Sequence, residues 1–308
     1  MPDMSAPLDY TNAQRPMWGV IWMLATGLMF VAVTAIVKHI GGGVPPAEAA
    51  FLRYVLGLVF LLPMLRPLLR ANLSRHQLVL FGWRGLVHAL GVILWFFAMT
   101  KIPIADVTAM NYLSPIYVTI GAALFLGEKL AFRRILAILA ALVGAMIILR
   151  PGFREVSIGH VAMLGTAILF AASYLLAKRM ADQVSPVVVV AMLSIMVPIG
   201  LAPFAIAQWV TPTLEQLGWL FLVAIFATIG HFTMTLAFRA APMTVTQPVT
   251  FLQLVWATAL GAIVFAEPVD GWVVLGGLVI FASVSFITWR EAVLKRRSLT
   301  PPAVATKV

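Results

Sequence analysis

Cysteine is absent from this sequence of 308 residues, and charge is scarce, with Asp, Glu, Lys and Arg making up only 10%. Without cysteine there are no disulfides, thiolate metal sites or cysteine nucleophiles. So little charge, against about 25% in an ordinary soluble domain, excludes a globular enzyme with a polar shell. No Gly-x-x-x-x-Gly-Lys-Ser/Thr stretch is present, which excludes the phosphate-binding loop of an ATP-driven pump. The five histidines are isolated from one another, so no metal-ligand spacing arises and no cofactor is implied. The first residues also lack the charged, apolar, then small-residue order of a cleaved signal peptide.

What is abundant is apolar: 62% of the residues are hydrophobic, with a mean hydropathy of +1.02. A membrane-spanning helix needs about 20 mainly apolar residues. Ten stretches qualify, numbered here as spans 1 to 10: 18–37, 47–65, 77–99, 105–125, 134–149, 158–177, 185–207, 214–236, 243–265 and 271–289. Connections are short and rich in Gly and Pro, leaving no room for a soluble domain. The fold expected is therefore an all-α membrane protein of ten transmembrane helices. Its units are an N-tail (1–16), two five-helix repeats (17–150 and 158–290) and a C-tail (291–308). Lys and Arg resist translocation. Fifteen of them fall on the side of the N-terminus, and four (Lys38, Lys101, Arg150, Arg154) on the other. Both termini are predicted to be cytoplasmic. The net charge of +10 follows this topology rather than a nucleic-acid surface. Arg53 and Arg84 lie inside spans.

The two halves repeat. A shift of 140 aligns Gly19/Gly159, Thr26/Thr166, Phe30/Phe170 and Lys38/Lys178; a shift of 139 aligns Ala98/Ala237, Pro103/Pro242, Thr119/Thr258 and Glu128/Glu267. Apolar pairs match often by chance, but a Pro pair and a Glu pair in one register do not. Each half has five spans, an odd number, so the second enters the membrane inverted. Such repeats are a signature of secondary transporters, with substrate held near the midplane between them.

Ten spans in a 5+5 arrangement resemble the drug/metabolite transporter superfamily in the branch with paired EamA domains. So do Pro103, Leu113-Ser114-Pro115, Leu126-Gly127-Glu128-Lys129 and its partner Phe265-Ala266-Glu267-Pro268. Within that branch the chain is most similar to bacterial amino-acid exporters, aromatic ones included. The resemblance implies a basket-like bundle in which spans 1, 3, 4, 6, 8 and 9 line a central cavity. It departs at one point: Ser114-Pro115 corresponds to Gln253-Leu254, so the span 4 proline is not mirrored.

Polar side chains inside spans usually face the bundle interior. Asn111, Ser114, Pro115 and Val118 fall on one face of span 4. Their repeat mates include Thr250 and Gln253, so polar groups recur at matched depth; they serve as substrate contacts or as packing glue. Arg84, His88, Gly91 and Trp95 share one face of span 3. Span 8 carries His231 beside Gly230, the mate of Gly91. Spans 1 and 6 add Thr26/Thr166 and Phe30/Phe170, with Thr34 and Tyr174 one turn on. His88 and His231 are the deep candidates for coupling, since only histidine ordinarily titrates near neutrality. Arg84 and Pro115 are candidates for gating. Glu48, Asp106, Glu128, Glu267 and Asp270 all lie at span ends. There Glu128 and Glu267 are expected to cap the helix that follows. With no carboxylate and no clustered Lys or Arg at mid-span, the site suits a neutral or zwitterionic solute.

The function expected is secondary transport across the bacterial inner membrane, with a small-molecule substrate, the lipid bilayer as the other partner and no ATP. Amino-acid export is the first reading. A drug, vitamin or nucleobase-type carrier of the same superfamily is the alternative, and a channel-like pore or lipid flippase is the rival of another class.

Overall fold

The computed structural model describes residues 16–126, 132–181, 183–241, 246 and 249–299. Among them are nine helices long and apolar enough to cross a membrane, and a shorter apolar helix, Leu252–Phe265. That shorter helix is the second part of span 9, most of whose first part lies outside the described residues. The protein is an all-α, multi-pass membrane protein. Backbone polar groups have no water to bond in hydrocarbon, so apolar runs of this length satisfy them internally as helices.

The repeat is visible in how helices begin. Span 3 opens with a capping box: Gln77 N–H donates to Ser74 Oγ (3.2 Å) and Ser74 N–H to Gln77 Oε1 (2.9 Å). Span 8 opens the same way with Thr213 and Gln216, at 3.2 and 2.8 Å. The two boxes stand 139 residues apart in the chain. Packing obeys the same relation. Span 1 packs on span 8 and span 6 on span 3; span 3 packs on span 7 and span 8 on span 2; spans 5 and 10 pack on each other. Exchanging the two repeats turns each of these contacts into another of the set. At the 5–10 crossing a Cβ on Gly144 would stand 2.8 Å from the Gly276 carbonyl, and one on Gly276 2.5 Å from the Gly144 carbonyl. Only glycine allows backbones that close.

Two spans are interrupted. Span 2 is α-helical over Pro46–Gly57, tightens to a 3₁₀ stretch over Leu58–Met64 containing Pro63, and resumes over Leu65–Arg70. Span 4 breaks between Ile104–Asn111 and Ser114–Leu126. Pro115 lacks the N–H that would bond the Asn111 carbonyl, and its ring crowds that carbonyl, so the first segment ends there. Just past the break Ser114 is buried and Pro115 exposed.

One end of the bundle, here the Lys38 end, is joined by an ionic lattice between the repeats. Glu267 ion-pairs with Lys38 and accepts the Ile104 N–H at 3.0 Å. Asp106, almost fully buried, accepts from Arg154 (2.5 Å) and shares a hydrogen bond with His160 (2.7 Å). Asp270 ion-pairs with Arg150 and lies 3.6 Å from Arg154. Glu48 accepts the Val210 N–H at 2.9 Å. Glu267 thus caps span 4 of the other repeat, not the following span 10 as expected; Asp270 caps span 10 by accepting the Trp272 N–H at 2.9 Å. The lattice decides this, because Lys38 draws the Glu267 carboxylate toward the first repeat. The corresponding expectation for Glu128 falls outside the described residues.

Candidate functional site

The face of span 3 that carries Arg84, His88, Gly91 and Trp95 meets span 6, and Phe170 is its centre. Gly91 makes room: a Cβ there would lie 2.8 Å from Phe170 Cδ1. The His88 ring stacks on Phe170 with centroids 4.9 Å apart, and its Nδ1 shares a 3.2 Å hydrogen bond with Ser173. Trp95 meets Phe170 edge-on at 6.3 Å, and Tyr174 lies tilted at the same distance. Thr166 is turned to backbone, donating to the Ala162 carbonyl at 2.9 Å.

The other pair of helices repeats the arrangement. Phe30 of span 1 sits against Gly230 of span 8, 3.4 Å from a Cβ built there. His231 meets Phe30 edge-on at 5.1 Å. Thr26 and Thr233 share a 2.9 Å hydrogen bond across the same contact. The matched residues Phe30 and Phe170 therefore each rest on the matched glycine of the opposite repeat, with a histidine beside them.

Two arginines close the group. Arg53 of span 2 is buried with its guanidinium 4.2 Å from the Tyr54 ring centroid, and its Nε has no partner. Arg84 is equally buried and donates from Nη1 to the Val189 carbonyl at 2.9 Å. Span 2, which carries Arg53, packs on spans 3 and 8, which carry His88 and His231. Tyr174, tilted against Phe170, is 47% exposed. Among the described residues no three His, Asp or Glu converge as a metal site.

The span 4–span 9 crossing is organised differently from the sequence expectation. Tyr112 ties it, donating its hydroxyl to the Thr250 carbonyl at 2.8 Å. Ser114 is buried with its hydroxyl unpartnered. Gln253 packs toward span 1, its Cβ 3.5 Å from a Cβ built on Gly27. Asn111, at the end of the first segment of span 4, is half-buried. Of the candidates, His88, Trp95, Phe170 and Tyr174 are thus brought together, as are Phe30 and His231. Asn111 and Gln253 are not shown to meet. Sequence reading passed over Arg53, Tyr54 and Ser173. The available signal was Arg53 itself, a lone cation within an apolar span.

The EamA-like transporter family matches this chain twice, over residues 17–150 and 157–289. A riboflavin transporter of Vibrio cholerae is 31% identical over 92% of this chain and 97% of its own length. A second riboflavin transporter, of Rhizobium johnstonii, is 30% identical over 96% and 99%. A solved crystal structure superposes over 92% of this chain and 99% of its own with a TM-score of 0.57 at 19% identity, a likeness of fold. Two five-helix repeats whose contacts exchange into one another, and this double match, place the chain in the EamA-like transporter family of the drug/metabolite transporter superfamily.

Proposed function

We propose that this secondary transporter carries a flat heteroaromatic metabolite of the vitamin type across the bacterial inner membrane, with riboflavin the first candidate. The observation that carries the reading is the stack of His88 on Phe170, flanked by Trp95 and open toward Tyr174. Parallel and edge-on aromatic planes accept a fused ring system more readily than a compact zwitterion. The names of the two relatives point the same way, and neither is an amino-acid exporter. The vitamin alternative therefore replaces amino-acid export as the favoured reading.

The orientation proposed follows the charge bias, with both termini cytoplasmic and the Lys38 end outside. On that orientation the ionic lattice closes the outer side, and breaking its links between the repeats opens it. Counterflow in proteoliposomes tests the function. We expect saturable exchange of labelled riboflavin that excess phenylalanine does not inhibit. Saturable phenylalanine exchange without riboflavin exchange would restore the amino-acid reading, and non-saturable flux would indicate a pore.

A further inference from the structure

The acids of this chain lie in tails, loops and span ends, yet Arg53 is buried in span 2 and only 8% exposed. Among the described residues it makes no ion pair and no hydrogen bond; its guanidinium has the Tyr54 ring at 4.2 Å and nothing anionic. Glu48, the acid of the same helix, is turned the other way, its Oε2 accepting from Val210 at the Lys38 end. Arg84 adds a second buried positive charge, with one nitrogen committed to the Val189 carbonyl and no carboxylate beside it. Taking a guanidinium out of water without a counter-charge is costly, and proteins seldom leave one so. Intramembrane cations of this kind mark substrate paths.

We infer that Arg53, supported by the field of Arg84, is an anion subsite, so that of two solutes with the same aromatic body at His88 and Phe170 the one that also carries an anionic group (phosphate or carboxylate) is preferred. The inference rests on the reading of this mid-span group as the transport site. The geometry suits it: span 2, which carries Arg53, packs on both span 3, which carries His88, and span 8, which carries His231. A planar guanidinium with free donors matches the oxygens of either anion in a bidentate fashion.

The test compares neutral and anionic members of two ring pairs on the purified full-length protein: riboflavin with riboflavin 5′-phosphate, and indole-3-acetamide with indole-3-acetate. Affinity is read by tryptophan fluorescence, and the melting temperature without ligand is recorded. We expect the anionic member of a pair to bind about ten- to a hundredfold more tightly, the strength of a charge-assisted hydrogen bond. Arg53→Gln removes that preference, Arg53→Lys retains part of it, and neither lowers the unliganded melting temperature. Preference for the anionic indole alone, lost in Arg53→Gln, sustains the subsite and rejects the flavin as substrate. Equal affinity for neutral and anionic members, an anion preference that survives Arg53→Gln, or no binding by either anion overturns it. A lower melting temperature in Arg53→Gln with unchanged preference would mark Arg53 as structural.

Discussion

Gly91 shows how much a single residue decides here. Its missing side chain lets Phe170 reach the span 3 backbone and brings the phenyl under His88, and Gly230 does the same for Phe30. Gly91→Leu is expected to destabilise the folded protein by about 1–3 kcal/mol through overpacking, read as a lower melting temperature. It should also displace Phe170 and weaken riboflavin binding. Normal affinity in this variant would show that the stack does not hold the ring. His88 and His231 each meet a phenyl ring of the opposite repeat. Replacing His88 with Gln removes one of the two stacked planes and is expected to weaken riboflavin binding by about 0.5–1.5 kcal/mol. Unchanged affinity in the folded variant would remove His88 from the site.

At the scale of whole elements, the ionic lattice and the broken span 4 belong together. Glu267 binds the first N–H of span 4, Asp106 anchors its first turn to Arg154 and His160, and the helix then breaks before Pro115. The segment Ile104–Asn111 is thus tied at the Lys38 end and, past its other end, held to span 9 by Tyr112. Glu267→Gln removes the charge facing Lys38 and weakens the tie between the repeats. The natural absence of cysteine makes the test clean. A cysteine introduced at Thr34, buried on span 1 one turn before Lys38, should resist an impermeant maleimide added from outside. In the Glu267→Gln background we expect its labelling to rise several-fold. Unchanged labelling would mean that the lattice staples the fold without gating it. Tyr112→Phe, which removes the bond to Thr250, should cost about 0.5–1.5 kcal/mol of stability.

For the molecule as a whole, orientation is the open quantity with a direct measurement. A reporter active only in the periplasm should be silent when fused after Val308 and active in the loop at 208–212; the reverse pattern would invert the assignment of the Lys38 end. The ten spans, their division into two repeats and the family were all legible in the chain, because hydrocarbon thickness sets how long an apolar run must be and an unbonded backbone cannot remain in it. The site was legible only in part. The line Arg84, His88, Gly91, Trp95 could be read from helical spacing within one unbroken helix. The line Asn111, Ser114, Pro115 runs across a break in span 4, where helical spacing alone no longer fixes which residues share a face. Spacing along one helix also says nothing about the helix opposite. Only the tertiary structure set Phe170 on Gly91 and Phe30 on Gly230. Those contacts join residues of opposite repeats, and they form where a missing Cβ meets an aromatic ring, a fit of shapes that neither segment contains alone.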